Sequence, residues 1–384
     1  MKCPECGSEN PKNARFCEEC GKNLPEEEIR KPGTFKATYR KNKPSSNGGI
    51  KNKVIIALVC IFVVAAFVGL YAISQNFNTT TSPQGATVFI LNQVSGASEV
   101  TDTKTGAVYP ITVENYSIGG GSGFIISKEG YIVTAAHVIS DPKSVDYEDK
   151  IKKMDSNDLQ FYVNQAAIYI FLEQTQPDLV SNISDEQLDN LTTKAMADGT
   201  VRATRYEQNI YVMGPAFPDS NETPSKVELI DMGNVDAGVD VALLKLDEIK
   251  TSLPTLSLSS EKIEVGENVR TYGYPTEQFD FYASLDEKNQ TKDIWKSMLT
   301  ASITKGIVSA ERTWTNGTKF YQTDAAVDYG NSGGPVTDDN NKVIGVLVMG
   351  FEKQGFNFFL PSEYVIELCN KNKVSLNGGS FFNF

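Results

Sequence analysis

From Ala86 onward the chain alternates short hydrophobic runs with Gly, Pro, Asn and Asp breaks. The runs are Ala86–Leu91 (ATVFIL), Gly121–Ser127 (GSGFIIS), Tyr131–Val138 (YIVTAAHV), Ile210–Gly214 (IYVMG), Lys226–Met232 (KVELIDM), Val241–Leu246 (VALLKL), Asn268–Pro275 (NVRTYGYP), Ile303–Ala310 (ITKGIVSA), Lys342–Gly350 (KVIGVLVMG) and Phe356–Pro361 (FNFFLP). Short apolar or alternating runs bounded by turn residues predict the antiparallel strands of an all-β barrel or sandwich. One region breaks the pattern. Between about Asp146 and Thr204, Leu159, Tyr162, Val163, Ala166, Ala167, Tyr169 and Ile170 follow helical spacing, and SDEQLDNLTTKAMADG offers a capping box, Ser184 with Gln187, before Gly199. Residues 146–204 are therefore expected to form a largely helical insertion within a β domain spanning 85–370. YVIELCNKNK then reads as a closing helix, and 371–384 as a tail.

A second kind of hydrophobic pattern lies upstream. Val54–Ile73 is twenty residues without a charge, which as a helix would rise roughly 30 Å and match the hydrocarbon core of a bilayer. It starts too deep in the chain for an ordinary cleaved signal peptide and predicts an uncleaved membrane anchor, 54–73. Arg30–Lys53 before it carries eight Lys/Arg and no acid, whereas SQNFNTTTSPQ after it is uncharged. That asymmetry predicts a cytoplasmic N-terminus and an extracytoplasmic main body, joined by linkers at 24–53 and 74–84.

Charge and cysteine usage sharpen this division. Residues 1–53 hold 12 Lys+Arg against 7 Asp+Glu, a net +5, so the remaining residues carry −17 of the total −12. An acidic main body argues against a nucleic-acid partner. Four of the six cysteines, Cys3, Cys6, Cys17 and Cys20, form two C-x-x-C pairs ten residues apart. Two such turns supply four thiolates to one tetrahedral zinc, so residues 1–23 read as a zinc ribbon carrying structural zinc. Its partner would be cytoplasmic and of unknown identity. Cys60 falls in the anchor and Cys369 stands alone near the C-terminus, which leaves no disulfide within the outer domain.

The candidate chemistry starts from His137, the only histidine among 384 residues. By its local sequence alone it is either a core residue or a functional imidazole. TDAAVDYGNSGGPV, Thr323–Val336, places Ser332 between Asn331 and two glycines, a composition that permits a tight turn with an exposed hydroxyl and inward backbone N–H groups. Such N–H groups are what acyl transfer needs to stabilise an oxyanion. GNVDAGVDVALLKL supplies an acid between them, and two carboxylates compete. Asp240 directly precedes an apolar run that would bury it, whereas Asp236 is followed by Ala-Gly, a loop signature. The resulting order, His, Asp, Ser, is the one used by chymotrypsin-like proteases.

GSGFIISKEGYIVTAAHVI, VDVALLKL, LPTLSLSSEKIEVGENVRTYGYP, SITKGIVSAER and TDAAVDYGNSGGPVTDDNNKVIGV resemble, in order, the trypsin-like proteases of the HtrA (Deg) family across most of Ala86–Pro361. The resemblance implies a chymotrypsin-like double six-stranded antiparallel β-barrel. It implies His137 as general base and Asp240 as orienting acid from the first barrel, and Ser332 as nucleophile from the second. It also implies that the N–H groups of Gly330 and Ser332 form the oxyanion hole, with no cofactor for catalysis. The expected function is a membrane-anchored serine endopeptidase acting on unfolded or exposed extracytoplasmic protein segments, with the bilayer and peptide substrates as partners. The alternative is a catalytically weak sensor on the same fold, signalling across the membrane to the zinc ribbon. Three departures from the family stand out. Only 52 residues follow Ser332, where relatives usually continue into a PDZ domain; the insertion is unusually long; and Asn357 and Phe359 replace small residues near the specificity strands, Phe359 either packing the core or narrowing and reshaping the primary pocket.

Overall fold

A computed structural model describes residue 8 and residues 82–142, 151–217, 224–276, 298–314, 317–350 and 356–376. The four N-terminal cysteines and Val54–Ile73 lie outside the described residues. Among the described residues, no helix is long and apolar enough to cross a membrane.

Among the described residues, twelve strands close into two antiparallel barrels. The first contains β1 (Thr87–Thr101), β2 (Val108–Ile125), β3 (Tyr131–Thr134), β4 (Val201–Met213), β5 (Ser225–Met232) and β6 (Ala242–Leu246), in the order β1-β2-β3-β6-β5-β4. The second contains β7 (Asn268–Gly273), β8 (Ser302–Thr313), β9 (Lys319–Thr323), β10 (Pro335–Thr337), β11 (Val343–Gly350) and β12 (Asn357–Pro361), in the order β10-β11-β12-β9-β8-β7. Closure removes free strand edges, and the inward positions fill each barrel. Phe124, Ile132, Leu243 and Leu244 are fully buried in the first; each contributes about 1.5–3 kcal/mol over an exposed side chain. Val308, Val336, Leu347 and Phe359 fill the second. Val343, Val346 and Leu360 from β11 and β12 join the first barrel's cluster, together with Val365 and Leu368 of the closing helix, Ser362–Lys371. A continuous core thus fixes one barrel against the other, which a site assembled from both requires.

The sequence pattern underestimates three strands. β1, β2 and β4 run far past the barrel wall, because β1 keeps pairing with β2 as far as Thr101↔Val108 and with β4 as far as Val100↔Val201. Asn, Gly, Ser and Thr obscure the alternation in this stretch, yet β1 still alternates buried and half-buried positions along it. The projecting sheet carries α1 (Ser156–Thr175) and α2 (Asp185–Ala197). Val163, Ala166 and Ala167 of α1 are fully buried in the cluster between helix and sheet. The expected capping box of Ser184 with Gln187 opens α2, and Gly199 follows it at φ +68°. The helical segment ends earlier than expected: residues 201–204 already belong to β4, because strand pairing with Ser98–Val100 captures them.

Candidate active site

The single histidine lies on a 3-10 turn, Ala136–Ile139, that leaves the end of β3. Three side chains from surrounding elements, with Ser140 at the turn's own end, hold it. Asn92 Nδ2 donates to the carbonyls of Val138 and Ser140 at 3.4 and 3.3 Å, and Gln208 Nε2 donates to that of Ile139 at 2.8 Å. Ser140 Oγ reaches back to the Ala136 carbonyl at 2.7 Å, and Tyr162 Oη of α1 donates to Asp141 Oδ1 at 2.6 Å. Carbonyls at the end of a short helix need external donors. Here amides on β1 and β4 supply them, so the turn has one arrangement rather than several.

Asp240 arrives from a sharp turn before β6, after Gly238 at φ +75°. Its carboxylate meets His137 twice: Oδ1 accepts from the backbone N–H at 2.9 Å, and Oδ2 lies 2.6 Å from ring Nδ1. Both side chains are largely enclosed, at 15% exposure for His137 and 8% for Asp240. Burial pushes the imidazole pKa down, but the Asp240 charge and its hydrogen bond outweigh this and leave it raised above the usual 6.5. Asp236 is exposed on the 3-10 turn Val235–Ala237.

Ser332 comes from the other barrel, on the loop between β9 and β10. Gly330 and Gly333 flank it at φ +90° and +84°, a conformation that L side chains rarely adopt. The Gly333 N–H donates to the Leu347 carbonyl at 2.7 Å, and the Leu347 N–H returns to the Gly334 carbonyl at 3.0 Å. Gly333 also packs against the first barrel. A Cβ there would overlap the Ser122 carbonyl and Thr134 Oγ1 and come within 2.8 Å of Ala135 N, two residues before His137. The loop is thereby pressed against the histidine turn. Among the described residues the His137 ring is bonded at Nδ1 to Asp240, and no hydrogen bond joins it to the Ser332 hydroxyl. The Asn331 N–H is used in a turn to Asp328 O at 3.1 Å, whereas the Gly330 and Ser332 N–H groups donate to no backbone carbonyl among the described residues.

Two departures noted in the sequence have separate fates. Phe359 is fully buried and stacks on Tyr321 with centroids 5.6 Å apart, so it packs the second barrel. Asn357 Nδ2 donates to the Ala325 carbonyl at 2.7 Å, and its buried Oδ1 has no hydrogen-bond partner. Cys369 is buried and free, and burial pushes its thiol up to about 12, which disfavours the thiolate.

A carboxylate-held imidazole on one barrel and a glycine-flanked serine on the other mark the chymotrypsin type among double-barrel folds. The trypsin-like peptidase domain family matches residues 121–346, and a zinc-ribbon domain matches residues 2–24. The chain belongs to the trypsin-like peptidase domain family. Among curated relatives, a probable periplasmic serine endoprotease DegP-like from Pseudomonas putida (strain W619) is 38% identical over 146 residues, 36% of this chain and 26% of the relative. The mitochondrial serine protease HTRA2 of Bos taurus is 32% identical over 148 residues, 36% of this chain and 27% of the relative. This chain thus spans about a quarter of the length of these relatives. The solved serine endoprotease from Yersinia pestis aligns with a TM-score of 0.39 at 19% identity, over 76% of this chain and 64% of that one.

Proposed function

We propose that the chain is a serine endopeptidase of HtrA type, with Ser332 as nucleophile, His137 as general base and Asp240 as orienting acid. The reading is carried by one observation: the only histidine of the chain is gripped at Nδ1 by a buried carboxylate 2.6 Å away. A carboxylate there keeps the proton on Nδ1 and leaves Nε2 free to receive the serine proton. Ser332 Oγ attacks the peptide carbonyl, and His137 takes its proton. Asp240 stabilises the resulting imidazolium. The developing oxyanion is met by the N–H groups of Gly330 and Ser332. His137 then gives the proton to the leaving amine, and water hydrolyses the acyl-enzyme by the same base.

In this reading the substrates are unfolded or exposed protein segments outside the cytoplasm, and Val54–Ile73 anchors the enzyme with residues 1–53 inside. Cys3, Cys6, Cys17 and Cys20 hold one structural zinc; four thiolates in two C-x-x-C pairs suit tetrahedral zinc and leave no position open for chemistry. Labelling of the full chain by a fluorophosphonate tests the enzymatic reading. The expected result is one label per chain, absent from Ser332→Ala. An intact fold that takes no label and cleaves no unfolded protein would overturn it in favour of a sensor on the same fold.

A further inference from the structure

We propose that Ser122, on β2 of the first barrel, is the positioning residue that aims the oxyanion donors of the second. The proposal rests on reading Gly330 and Ser332 as those donors. Ser122 is fully buried and all its polar groups are engaged. Its N–H donates to the Ser332 carbonyl at 2.8 Å, and its hydroxyl donates to the Gly330 carbonyl at 2.6 Å. The same hydroxyl accepts from the Tyr274 N–H at 2.9 Å, and its own carbonyl accepts from Thr134 Oγ1 at 2.7 Å. One residue of the first barrel therefore holds the carbonyls of the Gly330–Asn331 and Ser332–Gly333 peptides, on either side of the peptide that carries the Ser332 N–H; the Asn331 carbonyl of that peptide accepts from the Gly334 N–H at 3.0 Å.

The geometry explains why this matters for N–H direction. In a trans peptide the N–H points opposite to the preceding carbonyl, so an amide is aimed by whatever holds that carbonyl. The Gly330 N–H belongs to the Tyr329–Gly330 peptide, whose carbonyl accepts from Thr276 N at 2.8 Å and Thr276 Oγ1 at 3.3 Å. Thr276 lies two residues beyond Tyr274, the segment that Ser122 Oγ also anchors. On the other side, the hydroxyl bond to the Gly330 carbonyl sets the Gly330–Asn331 peptide, whose own N–H turns to Asp328 O; this peptide joins the two that carry the Gly330 and Ser332 N–H groups, so holding it limits the rotation of both. Glycine at φ +90° has no Cβ to resist rotation, so this peptide depends on its hydrogen bonds for orientation. Thr134 completes the clamp: it closes on the Ser122 carbonyl, and its strand leads directly into the histidine turn. Ser122 thus ties the donor loop to the base-carrying barrel, and among the described residues its hydroxyl is the one side-chain donor to the Gly330 carbonyl.

Ser122→Ala keeps the backbone bond to Ser332 and removes the hydroxyl alone. Outright loss of one oxyanion donor costs about 10²–10³ in turnover; misaiming should cost about 10–10² in kcat with KM nearly unchanged. A peptide aldehyde, whose adduct with serine carries an oxyanion, should weaken by the same factor. Amide hydrogen exchange across 323–334 should accelerate. Ser122→Thr, which keeps a hydroxyl, should recover most of the turnover. Val227→Ala, a cavity in the first barrel's core, serves as control: it should lower the Tm without changing kcat. A Ser122→Ala protein with parent kcat, parent aldehyde affinity or parent exchange would overturn the proposal, as would an equal kcat loss in Val227→Ala. Undiminished hydrolysis by Ser332→Ala would instead overturn the reading beneath it, and the proposal with it, in an experiment that does not involve Ser122.

Discussion

Replacing Asp240 by Asn removes one charge and almost no volume. The side-chain oxygen can still accept from the His137 backbone N–H, now made at 2.9 Å, so the turn should stay in place. The carboxamide then presents its NH₂ to ring Nδ1, 2.6 Å away in the parent, and forces the proton onto Nε2. An imidazole in that tautomer cannot accept the serine proton. In the chymotrypsin-type triad the same exchange lowers turnover about 10⁴-fold, so a loss of 10³ or more, about 4 kcal/mol of barrel-held transition-state stabilisation, is expected here. The pH dependence should move as well. In the parent, burial opposes the charged ring but Asp240 more than compensates and raises its pKa, so the acid limb of kcat/KM is expected above pH 6.5. In Asp240→Asn only burial remains, and the limb should fall below 6.5. Stability follows the same sign: the raised parent pKa contributes stability that is complete below 6.5 and is lost as pH rises through the folded-state value. The variant should reverse this and lose stability on acidification through 6.5. Because the chain has one histidine, a single imidazole NMR resonance reports the titration directly, alongside hydrolysis of an unfolded substrate near pH 8. Asp236→Asn, at an exposed turn, should stay within about tenfold of the parent. A large loss at Asp236 with little at Asp240, equal small losses, or an imidazole pKa unmoved by Asp240→Asn would refute the reasoning.

Three further outcomes are expected. In intact cells an external protease should digest the chain beyond Ser74 and spare residues 1–53; the opposite protection would reverse the topology. Purified full-length protein should carry about one zinc per chain, lost in a Cys3→Ser/Cys6→Ser variant without loss of peptide hydrolysis; hydrolysis that disappears with the metal and returns on adding zinc would show a coupling this reading lacks. Asn357→Asp sets an acceptor against the Ala325 carbonyl that Asn357 now serves at 2.7 Å. Burial should raise that carboxyl's folded-state pKa, so urea melts should show a loss of about 1–3 kcal/mol at pH 8 that fades below about pH 4; equal stability at pH 8 would contradict it.

How much of this was legible in the sequence differs by element. The motifs GYIVTAAHV and GNSGGP announce themselves, because a strand leading into a histidine and a glycine-flanked serine are local patterns that backbone chemistry imposes. The strand runs of the barrels and the Ser184 capping box are local in the same sense, since side-chain period and turn chemistry operate within a few residues. The sequence could rank Asp240 above Asp236 by the apolar run that follows it. That Asp240 meets His137 across 103 residues is a tertiary fact. Ser122 was in plain view inside GSGFIIS, yet nothing local distinguishes it, because its hydroxyl acts on Gly330 across 208 residues. The Asn92 and Gln208 amides that hold the histidine turn were invisible for the same reason, and so was the sheet projecting to Thr101, whose polar residues hide a strand that pairing and helix packing create. Periodicity determined by itself which segments could be strands, helices or turns. Barrel closure alone decided which buried polar groups meet, because a buried hydrogen-bonding group must be satisfied by whatever the fold brings beside it.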